Sequence, residues 1–512
     1  MMMHELLEHS ASRVPDKTFL FSESQSVTYS QALDSVRKAA AALQKLGVKK
    51  GDRVLIFAPN SVEYVLAMFS VFKLGAIAAL IDILDPSSYR RNVKNLAPKL
   101  VIAPSEHIDA LKKSTPKAEF VSFDNKKETE HSWQSLLNSL GEEMQVDFTE
   151  DTPCHLSFTS GTTYEPKPAV LSHEPSLRAT RCIAERLELT TDDTTLGVTT
   201  LSSSHILVYG ILPQMHRRAS IGIMERWNPS NAWKMIHNHQ VRMVSGTAIR
   251  LSELIDYARD QSIDKGSLML VLSGGSAGIG RIRKKWEQHG VPFVETYGMS
   301  ELGGSVAMGH RRFFKSKPVK PFNRIPCIGP ALPDKEVKIV DENGKEVSCG
   351  VPGEILVSGG FMWGYWGLPE ETTKTTRGGW LHTSDIGLMD EFDNVYWLAR
   401  KTDIIHTENG PIYPRVIEET LFDQPSVRQA CAVGVQHGKN QVPVAFVAIF
   451  PNESVREEQL LNHCKSTLER THYQPSRVVI KTELPMTPSG KIDKKQLKRS
   501  EELVYDQSLD SD

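Results

Sequence analysis

Leu156-Ser157-Phe158-Thr159-Ser160-Gly161-Thr162-Thr163-Tyr164-Glu165-Pro166-Lys167-Pro168 is the stretch on which the reading of this chain turns. It leaves an apolar strand, passes through serial hydroxyls around a glycine, and ends in a lysine. Unpaired N–H groups and hydroxyls about a glycine make an anion cradle, and Lys167 adds charge to it. The Gly-x-x-x-x-Gly-Lys-Ser/Thr spacing of a Walker A loop is absent. Taken alone, the stretch also fits a polar surface loop. The remainder of the chain decides between the two.

Three further elements follow in order. Tyr297-Gly298-Met299-Ser300-Glu301 comes after the apolar run Met269–Leu272 and Gly274-Gly275-Ser276. An exposed aromatic face opposite bare glycine backbone makes a slot for a flat heterocycle. Glu301 offers a hard oxygen to Mg²⁺, which favours carboxylate and phosphate ligands. Next come Trp380-Leu381-His382-Thr383-Ser384-Asp385 and Arg400-Lys401-Thr402-Asp403. The Asp385 carboxylate can grip two neighbouring hydroxyls, and Arg400 can close over them. Last is Leu484-Pro485-Met486-Thr487-Pro488-Ser489-Gly490-Lys491-Ile492-Asp493, which displays Lys491 on a Pro/Gly turn with Ile492 ready to dock that turn on a core. A lone Ser-Gly-Lys is usually a solvated surface turn; four such elements in series point to one site for a phosphorylated, flat-ringed ligand.

In this order the motifs resemble the adenylate-forming superfamily of acyl-CoA synthetases, peptide-synthetase adenylation domains and luciferases. The likeness runs from Thr28-Tyr29 to Leu497 and takes in Gly51-Asp52-Arg53-Val54, Asn60-Ser61, Ile328-Gly329, Gly353-Glu354-Ile355 and Tyr413-Pro414. It implies attack of a substrate carboxylate on the α-phosphate of ATP, then thiolate attack on the acyl-adenylate, usually by CoA. By resemblance, Thr159, Ser160, Gly161, Thr162, Thr163 and Lys167 cradle phosphate, with Gly274, Gly275, Ser276, Tyr297, Gly298 and Ser300 around the adenine. Asp385 and Arg400 hold the ribose, Glu301 the Mg²⁺, and Lys491 the converging negative charges. His205, in Ser202-Ser203-Ser204-His205-Ile206-Leu207-Val208-Tyr209-Gly210, lies where acyl- and aryl-CoA synthetases line the carboxylate site. It is read either as that wall or as a core histidine. Gly303-Gly304 leave room for an acyl tail. His237 and His239 face different sides of a helix and make a poor metal pair.

The bulk properties agree. At 512 residues the chain is too long for a single core, and a net charge of −2 gives no reason to expect nucleic acid or anionic membrane. Six cysteines are scattered without a Cys-x-x-Cys pair, which suits reduced thiols and a cytoplasmic setting. Val62–Leu84 is the most membrane-like segment, but Glu63, Lys73 and Asp82 interrupt it, so a buried helix running into a strand is expected.

The expected fold class is α/β. Strands at Val54–Phe57, Ile77–Ile81, Leu100–Ile102, Thr195–Val198, Ala219–Ile223, Met243–Ser245, Met269–Leu272 and Val291–Glu295 alternate with helices as doubly wound units. A β-rich subdomain follows at about 328–398. The N-terminal body is read as 1–399, and a small mobile α+β domain carrying Lys491 as 400–512, with a joint near Arg400–Asp403. Within that domain a helix is expected at Tyr413–Asp423, strands at Cys431–Val435 and Val444–Phe450, and a helix at Val455–Arg470.

Several positions depart from the family's pattern. Tyr164 and Pro168 replace loop glycines; Ser384 and Ala399 replace glycines beside Asp385 and Arg400; Thr402 takes the hinge position; and His406-Thr407-Glu408-Asn409-Gly410-Pro411 replaces a glycine-rich stretch. Three readings stand at this point: an acyl- or aryl-CoA ligase, with a place in fatty acid metabolism; a stand-alone adenylating enzyme loading a phosphopantetheinyl carrier protein or an amine; and a nucleotide-binding pseudoenzyme.

Overall fold

The computed structural model describes residues 1–81, 93, 95–124, 130–139, 146–159, 166–275, 278–310, 319–320, 322–438, 440–451, 453–487 and 492–509, the side chains of 503–509 excepted. Local rules start the fold well. Thr28 caps the helix Tyr29–Lys45 by a reciprocal box: its hydroxyl accepts from Gln31 N, and Gln31 Oε1 accepts from Thr28 N at 2.8 Å. Gly47, at φ +83°, ends that run in a conformation a side chain would strain. Val62–Lys73 is a helix buried nearly all round, and Ile77–Leu80 is a buried strand, as the interrupted apolar segment predicts.

Two eight-stranded sheets form the body. In one, the strands Leu270–Gly274, Met243–Ser245, Thr194–Gly197, Ser220–Ile223 and Thr18–Phe21 lie between Phe293–Met299 and the edge strand Ser26–Thr28. All neighbours from Phe293–Met299 to Thr18–Phe21 are parallel, and antiparallel partners close both edges. The second sheet runs Gly364–Tyr365, Pro168–Ser172, Pro153–Phe158, Ile77–Leu80, Arg53–Ile56, Leu100–Ala103, Glu119–Ser122, His131–Ser132. An antiparallel six-stranded sheet built from Gly329–Pro330 to Asn394–Arg400 is the β-rich unit. A smaller sheet of Val427–His437, Asn440–Ile449 and Arg477–Lys481 follows, with the helix Pro414–Leu421 packed on its first strand. This is the mixed α/β class expected, an N-terminal body with a smaller C-terminal domain. The C-terminal strands are longer than expected, and the helices shorter, at Pro414–Leu421 and Glu457–Thr467.

Parallel sheets present their ligands at the carboxyl ends of the strands. Those ends are Gly197, Ser245, Gly274 and Tyr297-Gly298-Met299, where the Tyr297–Glu301 motif begins.

Candidate active site

The hydroxyl-rich stretch is the connection of a β-hairpin. Phe158 pairs with Pro168 across antiparallel strands. Its neck is closed twice: Thr159 N donates to Lys167 O at 3.0 Å, and Lys167 N donates to Thr159 Oγ1 at 2.9 Å. Pro168 is the first residue of its strand, where a missing N–H is tolerated, and its carbonyl accepts from Trp366 N at 2.8 Å. The proline therefore belongs to the hairpin stem, and does not interrupt the loop. Ser160, Gly161, Thr162, Thr163 and Tyr164 lie outside the described residues, as do Ser276 and Lys491.

Across the stem runs a strap, Phe361–Trp366, that the motifs did not announce. Gly364 and Tyr365 pair with Val170 and Ala169, and Met362 N donates to Glu301 O at 2.7 Å. Tyr365 hydroxyl donates to Glu301 Oε1 at 2.7 Å, and Lys167 Nζ stands 5.2 Å above the same ring. Lys167 also pairs with Glu371, from the short helix Pro369–Thr375. Hydrogen bonds from Lys167 and Lys374 hold the Glu371 carboxyl below the usual range. One aromatic ring thus ties Glu301 to the lysine of the phosphate loop. The aromatic run and the paired Glu370-Glu371 were visible in the sequence, but nothing local indicated which loop they would cross.

Among the described residues no group of three or more His, Cys, Asp or Glu side chains converges as a metal cage. Mg²⁺ takes one or two carboxylates and completes its shell with phosphate and water. Glu301, buried and with one oxygen fixed by Tyr365, fits such a role.

Asp385 and Arg400 face each other on antiparallel strands, Arg400 Nε standing 3.0 Å from Asp385 Oδ1. Trp397 Nε1 donates to the same oxygen at 2.8 Å, and Tyr297 hydroxyl donates to Oδ2 at 2.8 Å. A carboxylate oxygen accepts two bonds, so Oδ1 is already occupied by Arg400 and Trp397, while Oδ2 retains capacity for a ligand hydroxyl. Tyr297 corrects an expectation: its ring is not an exposed face but is 6% accessible, with burial and the Asp385 charge holding its phenol well above the ordinary range. It is placed to orient Asp385. The open surface nearby belongs to Gly275, at φ +80°, where an added Cβ would meet nothing within 4 Å. Gly274 and Gly298 are glycines for packing; their added Cβ atoms would fall 1.9 Å from Thr296 O and 2.5 Å from Gly304 O. Ser300 Oγ reaches Phe158 O at 3.4 Å, linking this turn to the phosphate-loop strand.

His205 precedes a single π-helical turn, Ile206–Ile211, a rare geometry that widens the helix locally. Its Nε2 lies 2.9 Å from Ser245 Oγ, and burial lowers its pKa to about 4, so the ring is neutral. A neutral, bonded imidazole offers no cationic grip. Tyr209 from the same turn meets Thr296 Oγ1 at 2.6 Å, and Thr296 meets Ser305 Oγ at 2.8 Å. Gly303 turns the chain at φ +60°, and Gly304 lies so close to Ala179 that an added Cβ would be 2.9 Å from its Cβ.

The C-terminal domain meets the body through buried charge. Arg415 Nη2 donates to Glu295 Oε1 at 3.0 Å, Nη1 to Trp397 O at 3.0 Å, and Nε to Glu419 Oε1 at 3.3 Å. Glu419 also accepts from Gly278 N at 3.1 Å; burial pushes its carboxyl up to about 7, with Arg415 opposing. Farther on, Met486 and Ile492 bridge the feet of the Lys491 turn, with Ile492 packed against the small core of Leu484 and Leu497. Lys494 Nζ sits 3.1 Å from Glu418 Oε1 and 3.6 Å from Asp403 Oδ2, joining that turn to the Arg400–Asp403 joint.

Comparison with known proteins bears on the family and the fold. The AMP-binding enzyme family matches residues 7–366, and the AMP-binding enzyme C-terminal domain matches 416–491. A long-chain-fatty-acid–CoA ligase of Bacillus subtilis is 27% identical, over 98% of this chain and 94% of its own length. A 2-succinylbenzoate–CoA ligase of Bacillus cereus is 26% identical, over 97% of this chain and 98% of its own. In fold, the anthranilate CoA ligase AuaEII in complex with anthranoyl-AMP superposes with a TM-score of 0.90 at 22% identity, covering 99% of this chain and 98% of that one. ATP-bound MatB from Rhodopseudomonas palustris gives 0.88 at 22% identity, covering 99% and 100%. The chain belongs to the AMP-binding enzyme family.

Proposed function

We propose that this protein is an AMP-forming acid–thiol ligase, which activates a carboxylic acid with ATP and passes the acyl group to CoA. The observation that carries this is convergence. The phosphate-loop neck with Lys167, the Tyr365-held Glu301 and the Asp385–Arg400 pair meet at one edge of the body, in a chain whose relatives are named as CoA ligases.

The chemistry brings two anions together, so the first task is to neutralise charge. Lys167 and the Thr159–Thr163 segment receive the phosphates, Lys491 arrives from the C-terminal domain, and Asp385, steadied by Tyr297 and Trp397, takes the ribose hydroxyls. Glu301 would hold Mg²⁺, which would supply positive charge against the phosphates. The carboxylate oxygen bonds to the α-phosphorus while the bond to pyrophosphate breaks. The thiolate then attacks the acyl carbon and AMP leaves. Lys491 lies on the unit read as 400–512, and a shift about the Arg400–Asp403 joint could withdraw it for the second step.

The test is pyrophosphate release across a panel of acids, with and without CoA, and with a phosphopantetheinyl carrier as rival acceptor. Thioester formation with CoA is expected. Acyl transfer only to the carrier moves the protein to the second class, and no release with any acid removes it from both. Lys491→Ala is expected to slow adenylation about a thousandfold, the worth of ~4 kcal/mol for a unit charge pair at ~4 Å and an effective dielectric of ~20. Transfer from a supplied acyl-adenylate should largely survive.

A further inference from the structure

Resting on the reading of Asp385 as the carboxylate that holds the ribose, we infer that Glu354 is a positioning residue for it, fixing the strained bulge from which Asp385 projects. The strand register shows the bulge. Glu354 stands opposite Ile386 and Leu356 opposite His382, so Thr383, Ser384 and Asp385 face Ile355 alone. Extra residues in one strand leave the ladder and re-aim their side chains, and their N–H groups must find other acceptors. Ser384 N donates to Glu354 Oε1 at 3.1 Å, and Asp385 N donates to Thr383 Oγ1 at 3.0 Å. The Thr383 hydroxyl in turn donates to Ile355 O at 2.7 Å. Two side chains thus hold the segment that the ladder has released.

The strain sits at Ser384. Its φ is +56°, in the left-handed region that glycine enters freely and serine seldom does. A non-glycine residue stays there only where its surroundings hold it. The bond from Ser384 N to Glu354 supplies such a hold, and it comes from the neighbouring strand Gly353–Ser358, so it pins the bulge to the sheet. Lys401 Nζ lies 3.4 Å from the other Glu354 oxygen, and His382 Nδ1 lies 3.9 Å from the first. Tyr297, Trp397 and Arg400 fix the Asp385 carboxylate at its tip; Glu354 fixes the main chain at its root. Serine at 384 makes that root depend on Glu354, because glycine would take the same conformation without a tie.

The experiment is calorimetric titration of the full chain with ATP, 2′-deoxy-ATP and 3′-deoxy-ATP. The native protein should bind at least one deoxy analogue roughly ten- to a hundredfold more weakly than ATP, the worth of a hydrogen bond to a charged group. Glu354→Ala should cut that ratio to about threefold or less, because a loosened bulge no longer aims the carboxylate. Adding Ser384→Gly to Glu354→Ala should bring the ratio back to within about threefold of native, since glycine relieves the strain that Glu354 restrains. Glu354→Gln keeps an oxygen for Ser384 N and should keep the native ratio. A folded Glu354→Ala variant with the native ratio overturns the inference, whatever its overall affinity, since a merely structural role weakens all three nucleotides alike. A ratio lost in that variant and not restored by Ser384→Gly overturns it too. If Glu354→Ala does not fold, the double variant decides: recovery of fold and ratio upholds the inference, and failure to recover them overturns it. A native protein that binds no ATP would instead remove the ligase reading. One that binds ATP and both analogues alike removes Asp385 from the ribose, and this inference with it.

Discussion

Lys167–Glu371 and Arg415–Glu295 are both cation–carboxylate contacts that join distant parts of the chain, and their surroundings separate them. The first pair keeps 30% and 35% of its side-chain surface exposed; the second keeps 2% and 3%. Lys167 is part-exposed and shared between Glu371 and an aromatic face, so on the proposed reading an incoming phosphate can take it over at little cost. At the junction of body and C-terminal domain, the guanidinium is enclosed by Glu295, Glu419, the Trp397 carbonyl and the Trp397 ring at 5.3 Å. Losing Arg415 there leaves Glu419 without a cation in a dry interior and Glu295 with Arg283 alone, 3.2 Å from its other oxygen. Charge meant to be exchanged is left wet, and charge meant to hold a position is sealed.

Breaking the sealed cluster should have the largest effect. Arg415→Met leaves Glu295 and Glu419 without their shared cation and should cost about 3–5 kcal/mol in chemical denaturation. A loss under one kilocalorie would mean the cluster is no more structural than the exposed pair.

The Tyr365–Glu301 bond lies between the extremes, buried but next to the exchangeable lysine. Tyr365→Phe removes a hydrogen bond to a charged group, worth ~1.5–3 kcal/mol, and should weaken Mg²⁺ binding by roughly tenfold or more when titrated calorimetrically with a non-hydrolysable ATP analogue. Unchanged metal affinity with lowered thermal stability would reassign the tyrosine to packing.

The pH dependence sharpens the comparison, because the two carboxylates shift in opposite directions. Glu419 is raised to about 7 from an ordinary 4.5, so between those values the folded state keeps a proton that the unfolded chain has released. Stability should therefore decline as pH rises through that window, and Glu419→Gln should flatten the profile. Glu371 is lowered, so its small contribution is present above the ordinary carboxylate range and fades as pH falls through its folded pKa. Equal slopes for native protein and Glu419→Gln would break the argument.

The smallest effect belongs to the exposed pair. Glu371→Gln should change stability by no more than ~1 kcal/mol while freeing Lys167, lowering the KM for ATP a few-fold. A raised KM would show that Glu371 positions the lysine instead of competing for it.

Much of this was legible along the chain because it depends on near neighbours. The Thr28 cap, the Gly47 stop, the buried Val62–Lys73 helix and the docking of Ile492 follow from residues a few positions apart. The order of motifs likewise pointed to the family. Tyr365, Glu371 and Arg415 carried no such signal, since each acquires its role from a partner far away, 120 residues in the case of Arg415 and Glu295. Tyr297 shows the same limit from the other side: its motif was read, but only its neighbours Asp385 and Trp397 decide that the ring is enclosed. Residue type and local spacing settle which groups carry charge, which turns bend and which helices start, because those are short-range steric and hydrogen-bonding choices. Whether a given charge ends up wet and exchangeable or dry and fixed depends on what the fold packs around it, and that was decided only when strands distant in the chain came together.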